Sequence, residues 1–335
     1  MTRYVVRRIL QAIPLLLIMS FIFFLMLQVM GDPLASMGGR RRLRPADRAR
    51  LVHELGLDRP LPVQYAIWLK NTLTGNWGTS YVTRRPVTEM IRERLPNTLL
   101  LMLTAEVVIL VFSLAFGVYS ALKQYSALDH TLTALSFVGY SMPIFWLALM
   151  MIYLFAVNFK KWGLPSFPTG GVYTLGLVPP GEQPHRVLGI TFATLPDLVN
   201  HMVLPIATLS IISIAGYTRY VRASMLEVIN QDYIRTARSK GLRDRAILIR
   251  HALKNASLPL VTLLGLDLPF LLGGAIVTES IFAWPGMGRL FWEHATKSDF
   301  PVLMGVLLMV SAAVVVFQIL TDISYAYLDP RIRYD

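Results

Sequence analysis

Hydrophobic positions run along the chain in long unbroken blocks rather than in alternation. Residues 9–30, 131–159 and 300–320 contain no Asp, Glu, Lys or Arg. About 20 apolar residues suffice for a helix to cross the hydrocarbon core of a bilayer. Backbone groups in lipid must be paired within their own segment, so helices are the natural form for such runs. Six spans are predicted: Ile9–Met30; Asn97–Leu122, interrupted only by Glu106; Thr131–Phe159, with Pro143 inside; Val203–Tyr220; Pro259–Phe282, carrying Asp267 and Glu279; and Phe300–Thr321. An even number of crossings puts both termini on one side. The first block exceeds the 7–15-residue core of a signal peptide and ends Gly31-Asp32-Pro33 without a small-residue cleavage site, so it reads as an uncleaved first helix. The expected fold class is an all-α integral membrane protein.

The segments between the spans are unequal. Residues 31–95 form the longest, in which Arg44–Leu57 predicts a short helix and Pro60, Pro62, Gly75, Gly78 and Pro86 punctuate a folded loop. Residues 160–196 form a second loop rich in Gly and Pro. Long ordered loops are usually functional.

Composition agrees with the pattern: 54% of residues are hydrophobic and 16% charged, against about 25% charged in ordinary soluble domains. A soluble enzyme and a disordered chain are both excluded. With no cysteine, disulfides, thiolate metal sites and a cysteine nucleophile are excluded too. The net charge of +12 reads as basic residues collected in cytoplasmic loops near anionic lipid, not as a nucleic-acid surface. Placing the N-terminus inside puts 15 basic residues inside and 17 outside. Long segments translocate regardless of charge, and setting aside residues 31–95 leaves 15 against 5. Both termini are therefore expected in the cytoplasm.

Catalytic chemistry is not visible. The sequence holds no G-x-x-x-x-G-K-[ST] phosphate loop and no G-x-S-x-G elbow. Its histidines (53, 130, 185, 201, 251 and 294) form no i, i+4 pair, and His53-Glu54 lacks the second histidine of a metalloprotease. Three acids lie in predicted spans, where a carboxylate is costly and faces protein or water. Glu106 and Asp267 are candidates for lining a translocation path; Glu279, near the end of its span, reads as a bond to a neighbouring helix. An ion-coupled secondary transporter would use Glu106 or Asp267 as its coupling site.

The segment after the fourth span stands apart, with nine basic residues between Arg219 and Lys254. It contains Asp232-Tyr233-Ile234-Arg235-Thr236-Ala237-Arg238-Ser239-Lys240-Gly241-Leu242, and Leu258-Pro259 opens the next span. This resembles the EAA loop of importer permeases in the ATP-binding cassette superfamily, in the dipeptide, oligopeptide and nickel group. Further segments similar to that group are Gly31-Asp32-Pro33, Gly75-Asn76-Trp77-Gly78-Thr79-Ser80, Tyr140-Ser141-Met142-Pro143-Ile144-Phe145-Trp146, Trp284-Pro285-Gly286-Met287-Gly288 and Asp329-Pro330-Arg331-Ile332-Arg333. The sequence departs from the superfamily pattern in two places, and Asn76-Trp77 stands where Asp-Leu is more usual. Arg235-Thr236-Ala237 stands for Glu-Ala-Ala, and the gap from Gly241 to Leu258-Pro259 is longer, as in the peptide group.

The resemblance implies a type I importer permease: one half of a pore, working with a second homologous permease chain, two cytoplasmic ATPase subunits or domains and an external solute-binding protein. This chain would hold no cofactor, and ATP and Mg would belong to the ATPase subunits. The implied organisation is an N-terminal segment and first helix over residues 1–30, an external loop subdomain over 31–95, a permease core over 96–326 that includes the coupling loop 221–258, and a cytoplasmic tail over 327–335. Peptides are the leading substrate class, with nickel chelates, glutathione-like conjugates and oligosaccharides open. Residues 31–95 and 160–196 would help receive the binding protein. Coupling to the ATPase would fall to a helix over residues 226–241. Its spacing puts Leu226, Ile229, Tyr233 and Ala237 on one face with Ile234 at the edge, and Asp232, Arg235, Arg238 and Ser239 on the other, with Gly241 ending it. Gly273-Gly274 would allow close helix approach in the fifth span.

Overall fold

A computed structural model describes residues 2–30, 44–54, 56–179, 182–257, 260, 263–265, 267 and 275–328. Eleven of the 24 residues of the predicted fifth span, together with Gly31-Asp32-Pro33, Leu258 and the 329–335 tail, lie outside the described residues; Pro259 and Gly273-Gly274 are among those eleven. Along the chain come α1 (Thr2–Met30), α2 (Pro45–Glu54), α3 (Leu61–Leu73), α4 (Val87–Leu122), α5 (Ala127–Ser141), α6 (Ile144–Lys161) and the hairpin β1 (His185–Val187) and β2 (Ile190–Phe192). Then follow α7 (Leu195–Ile229), α8 (Asp232–Ser239), α9 (residues 244–256, containing a π-helical stretch), α10 (Ile276–Ile281), α11 (Met287–Ala295) and α12 (Phe300–Leu328). Among the described residues, α1, α4, α6, α7 and α12 are long and apolar enough to cross a membrane.

Four elements differ here from the sequence expectation. The single helix predicted over Thr131–Phe159 is two, α5 and α6, parted at Met142-Pro143. Proline has no N–H and disfavours helical backbone in the residue before it, and Met142 is extended at ψ 130°. The second and fourth spans also run beyond their apolar stretches. With 36 and 35 residues, α4 and α7 each reach roughly 50 Å at 1.5 Å per residue, well past a core of about 30 Å. Charged turns such as Arg92-Glu93-Arg94 carry α4 outside that core. Finally, the stretch punctuated by Pro60 and Pro62 is not loop: Pro62 stands in the first turn of α3, where a missing N–H loses no hydrogen bond.

The helices α4 and α7 form the most extensive pair. Gly117 makes the approach possible, since a Cβ there would lie 2.5 Å from Val221 Cβ and 2.9 Å from the Thr218 carbonyl oxygen. The helix α1 packs along α12. Onto one end of this pair α3 lays Tyr65 and Trp68, whose rings meet Phe24 at 5.7 and 6.3 Å between centroids, while Tyr65 Oη and Ser20 Oγ share a hydrogen bond of 2.8 Å. These contacts anchor part of the 31–95 segment to the membrane helices.

Candidate coupling surface and translocation path

The chain leaves the membrane region through α7, which stops at Asn230. The side chain of Asn230 turns back to donate to the Leu226 carbonyl at 2.8 Å, and Gln231 is extended before α8 begins. Asp232 in the first turn of α8 faces the positive end of that helix, and Gly241, at φ +74°, lets the chain reverse after Lys240. The expected continuous helix over 226–241 is thus two helices. Its predicted faces also change. Ile234, placed at the edge, is 1% exposed, and Ala237 is 7% exposed; both pack into this chain's own cluster with Val221, Met225, Ile247 and Ala252. Leu226 and Ile229 line the same cluster. Tyr233 turns the other way, and its hydroxyl accepts from Asn255 Nδ2 at 3.0 Å. The free surface is therefore Asp232, Tyr233, Arg235 and Arg238, joined by the exposed apolar side chains of Leu242 and Ile249.

An ion pair between a buried carboxylate and a half-buried arginine adds to the packing here. Asp129, at the start of α5, accepts from Arg222 Nε at 2.9 Å and Nη2 at 3.0 Å, from the Tyr125 backbone N–H at 2.9 Å and from the Ser120 hydroxyl. A single carboxylate thereby ties the α4–α5 turn to the last third of α7.

The two candidate path residues come together. Tyr217 on α7 donates its hydroxyl to the Asp267 carboxylate. Asp267 is otherwise exposed on the single chain. Glu106 lies near enough to interact with it electrostatically, and Glu106 Oε1 is buried without a hydrogen-bond partner among the described residues. Sequence reasoning missed Tyr217, although a tyrosine inside an apolar span is a cue to a polar neighbour.

Glu279 does something else. Fully buried, it accepts from Thr98 Oγ1 at 2.8 Å and from the Arg289 backbone N–H at 3.0 Å. Trp284 Nε1 donates to the Asn97 carbonyl at 3.0 Å, and Met287 N–H to Thr98 Oγ1 at 2.7 Å. The Trp284–Gly288 turn is in this way bolted to α4, as the helix-bonding reading of Glu279 expected.

On the opposite side from the coupling surface, Asp299 holds the Gly75–Ser80 segment. Its buried carboxylate accepts from Ser80 Oγ at 2.5 Å, the Tyr81 backbone N–H at 2.9 Å and His294 Nδ1 at 2.8 Å. A carboxylate can only accept here, so His294 carries its proton on Nδ1. Burial alone would raise the Asp299 pKa; the bonds from His294, Ser80 and Tyr81 outweigh it and hold the carboxyl below its usual range.

Residues 113–334 match the family described as binding-protein-dependent transport system inner membrane component, and residues 1–102 match the N-terminal part of such components. The chain belongs to that family. This permease is 42% identical over 336 residues to the oligopeptide transport system permease protein AppB of Bacillus subtilis, covering all of both chains. It is 37% identical to the dipeptide transport system permease protein DppB of Escherichia coli K12, covering all of this chain and 99% of that one. The same identity and coverage hold for the di/tripeptide transport system permease protein of Pseudomonas aeruginosa. The permease is a multi-pass membrane protein of the helical type I importer kind.

Proposed function

We propose that this permease forms half of the translocation pore of an ATP-driven, binding-protein-dependent peptide importer in the cytoplasmic membrane. Full-length likeness to three permeases named for oligopeptides, dipeptides and di/tripeptides carries the reading. A second permease chain completes the pore, two ATPase subunits supply the energy using ATP and Mg, and an external binding protein delivers the peptide. Both termini are cytoplasmic. Residues 31–95 and 160–196 contribute to the receiving face.

The coupling surface is the outer side of α8 with its neighbours, where Asp232, Tyr233, Arg235, Arg238, Leu242 and Ile249 are exposed. Apolar side chains presented by a short helix can seat in a partner's groove. Ile234, Ala237, Leu226 and Ile229 act behind it, by holding α8 on α7 and α9. Tyr233→Ala combined with Leu242→Ala removes side chains with little packing on this chain. The assembled complex carrying both changes should lose most of its ATPase, or hydrolyse ATP without uptake, while the permease itself keeps its thermal stability. Full retention of ATPase and of coupled uptake would remove this surface from the contact.

Asp267, with Tyr217 and Glu106, lies on the path and tunes the passage of charged peptides. Asp267→Asn should leave assembly intact and change the ratio of uptake for peptides with cationic and with anionic side chains. An unaltered ratio in vesicle uptake assays contradicts this role. The same three residues could serve a proton- or sodium-coupled transporter, and dependence of uptake on ATP separates the two readings.

A further inference from the structure

One cation of α7 lies deep in the membrane region. In α7, Arg222 pairs with Asp129 in the first turn of α5, beside the short α4–α5 turn that marks one edge of the membrane region. Arg219 lies one turn away on the same helix, and its guanidinium sits 5.3 Å from the ring centre of Phe137 and 4.8 Å from that of Tyr140. Along α5 those rings are eight and eleven residues past Asp129, roughly 12 and 16 Å of helix rise. The side chain therefore reaches away from the nearer membrane edge and toward mid-depth. An arginine facing lipid does the reverse and snorkels to the interface.

A second observation concerns the same surface. The break between α5 and α6 leaves non-helical backbone at Met142-Pro143, with Ser141 and Pro143 exposed on the single chain. Irregular backbone at membrane depth is tolerated where protein covers it or where it lines a water-filled cavity. The break, Phe137 and Trp146 line one open concavity, and Phe137 and Tyr140 are exposed beside it. Both the backbone and the cation thus mark this face as turned from lipid.

The remaining chemistry of Arg219 is specific. Among the described residues it enters no ion pair and donates no hydrogen bond. Two aromatic rings lie within cation–π distance of its guanidinium carbon, and its N–H groups remain available to an acceptor. A fork of N–H groups fits a carboxylate in bidentate fashion. We infer that Arg219, on its Phe137–Tyr140 platform at the α5–α6 break, binds the C-terminal carboxylate of the peptide in transit. This rests on the proposed reading of the protein as a peptide importer.

The test uses the complete importer in vesicles of phosphatidylcholine, with the binding protein saturated by Ala-Ala or by its C-terminal amide. For each peptide, the uptake rate of a variant is divided by that of the unaltered complex. Arg219→Gln should lower the Ala-Ala rate about tenfold, the size of one lost hydrogen bond to a charged group, and leave the amide rate unchanged, whereas Arg219→Lys, which keeps the charge but not the fork, should give an Ala-Ala rate between those of Arg219→Gln and the unaltered complex. Equal losses for both peptides, or no loss for either, overturn the site. If Arg219→Gln does not assemble, Tyr140→Leu weakens the platform at an exposed position. Its loss should be confined to Ala-Ala, and equal loss for both peptides again refutes the site. Discrimination that appears only after phosphatidylglycerol is added would make a lipid headgroup the ligand and overturn the proposal. An unaltered complex that transports neither peptide refutes the peptide reading itself.

Discussion

Replacement of Asp299 by alanine is expected to destabilise the permease by about 3 kcal/mol or more, since each buried donor left without its acceptor costs about 1–3 kcal/mol. The loss has several parts. Ser80 Oγ, the Tyr81 N–H and His294 Nδ1 all donate to this one carboxylate, and all would be left buried without it. The Gly75–Ser80 segment should then detach from the start of α12, lowering the melting temperature of the purified protein and exposing residues 75–86 to protease. The same carboxylate sets a dependence on acidity. Its pKa is depressed on folding, so its contribution is complete above the unfolded value of about 3.9 and is lost as pH falls through the lower folded value. Stability between pH 7 and pH 5 should therefore be insensitive to this group, and the difference between unaltered and Asp299→Ala protein should shrink only in stronger acid. A melting temperature unchanged by Asp299→Ala at neutral pH contradicts the role given to the network.

Ala237→Arg is expected to have the second large effect, and through this chain rather than through a partner. Ala237 is 7% exposed among Val221, Met225, Ile247 and Ala252. A guanidinium forced into that cluster costs about 1–3 kcal/mol in overpacking alone, before its unpaired charge is counted. Because α8 is a short satellite of α7, the result should be local release of α8 and α9 and not global unfolding. Hydrogen exchange in the permease without its partners should rise across residues 230–257, and coupling in the assembled importer should fail as a consequence. Arg238→Gln, at an exposed position, should change exchange little. If Ala237→Arg leaves exchange of the isolated chain at its original level, the packing assigned to α8 is wrong.

The long apolar blocks were legible because a helix in lipid has to be both helical and apolar, and α1, α4, α7 and α12 follow directly from them. The boundaries were less so, since the charged extensions of α4 and α7 obey ordinary helical preference outside the membrane, which an apolar count does not register. The α5–α6 break could have been read from Pro143, which the span pattern overrode. At the coupling surface, spacing showed an amphipathic stretch but not which partner its apolar side meets. Three-residue and four-residue periodicity is the same whether Ile234 and Ala237 insert into another protein or, as found, fold back on Val221 and Ile247. Contacts such as Thr98 with Glu279, Ser80 with Asp299 and Tyr217 with Asp267 join residues 181, 219 and 50 positions apart. No local pattern carries such pairs.

The central claim is that this permease passes peptide inward on energy released by ATPase partners docked at α8. It is tested most directly by reconstituting it in sealed vesicles with its second permease chain, ATPase subunits and binding protein, and measuring entry of radiolabelled peptide. Entry should require the binding protein and ATP on the side of α8, stop with a non-hydrolysable ATP analogue, and continue when a protonophore removes any ion gradient. Peptide entry that proceeds without ATP and collapses with the protonophore would contradict the account.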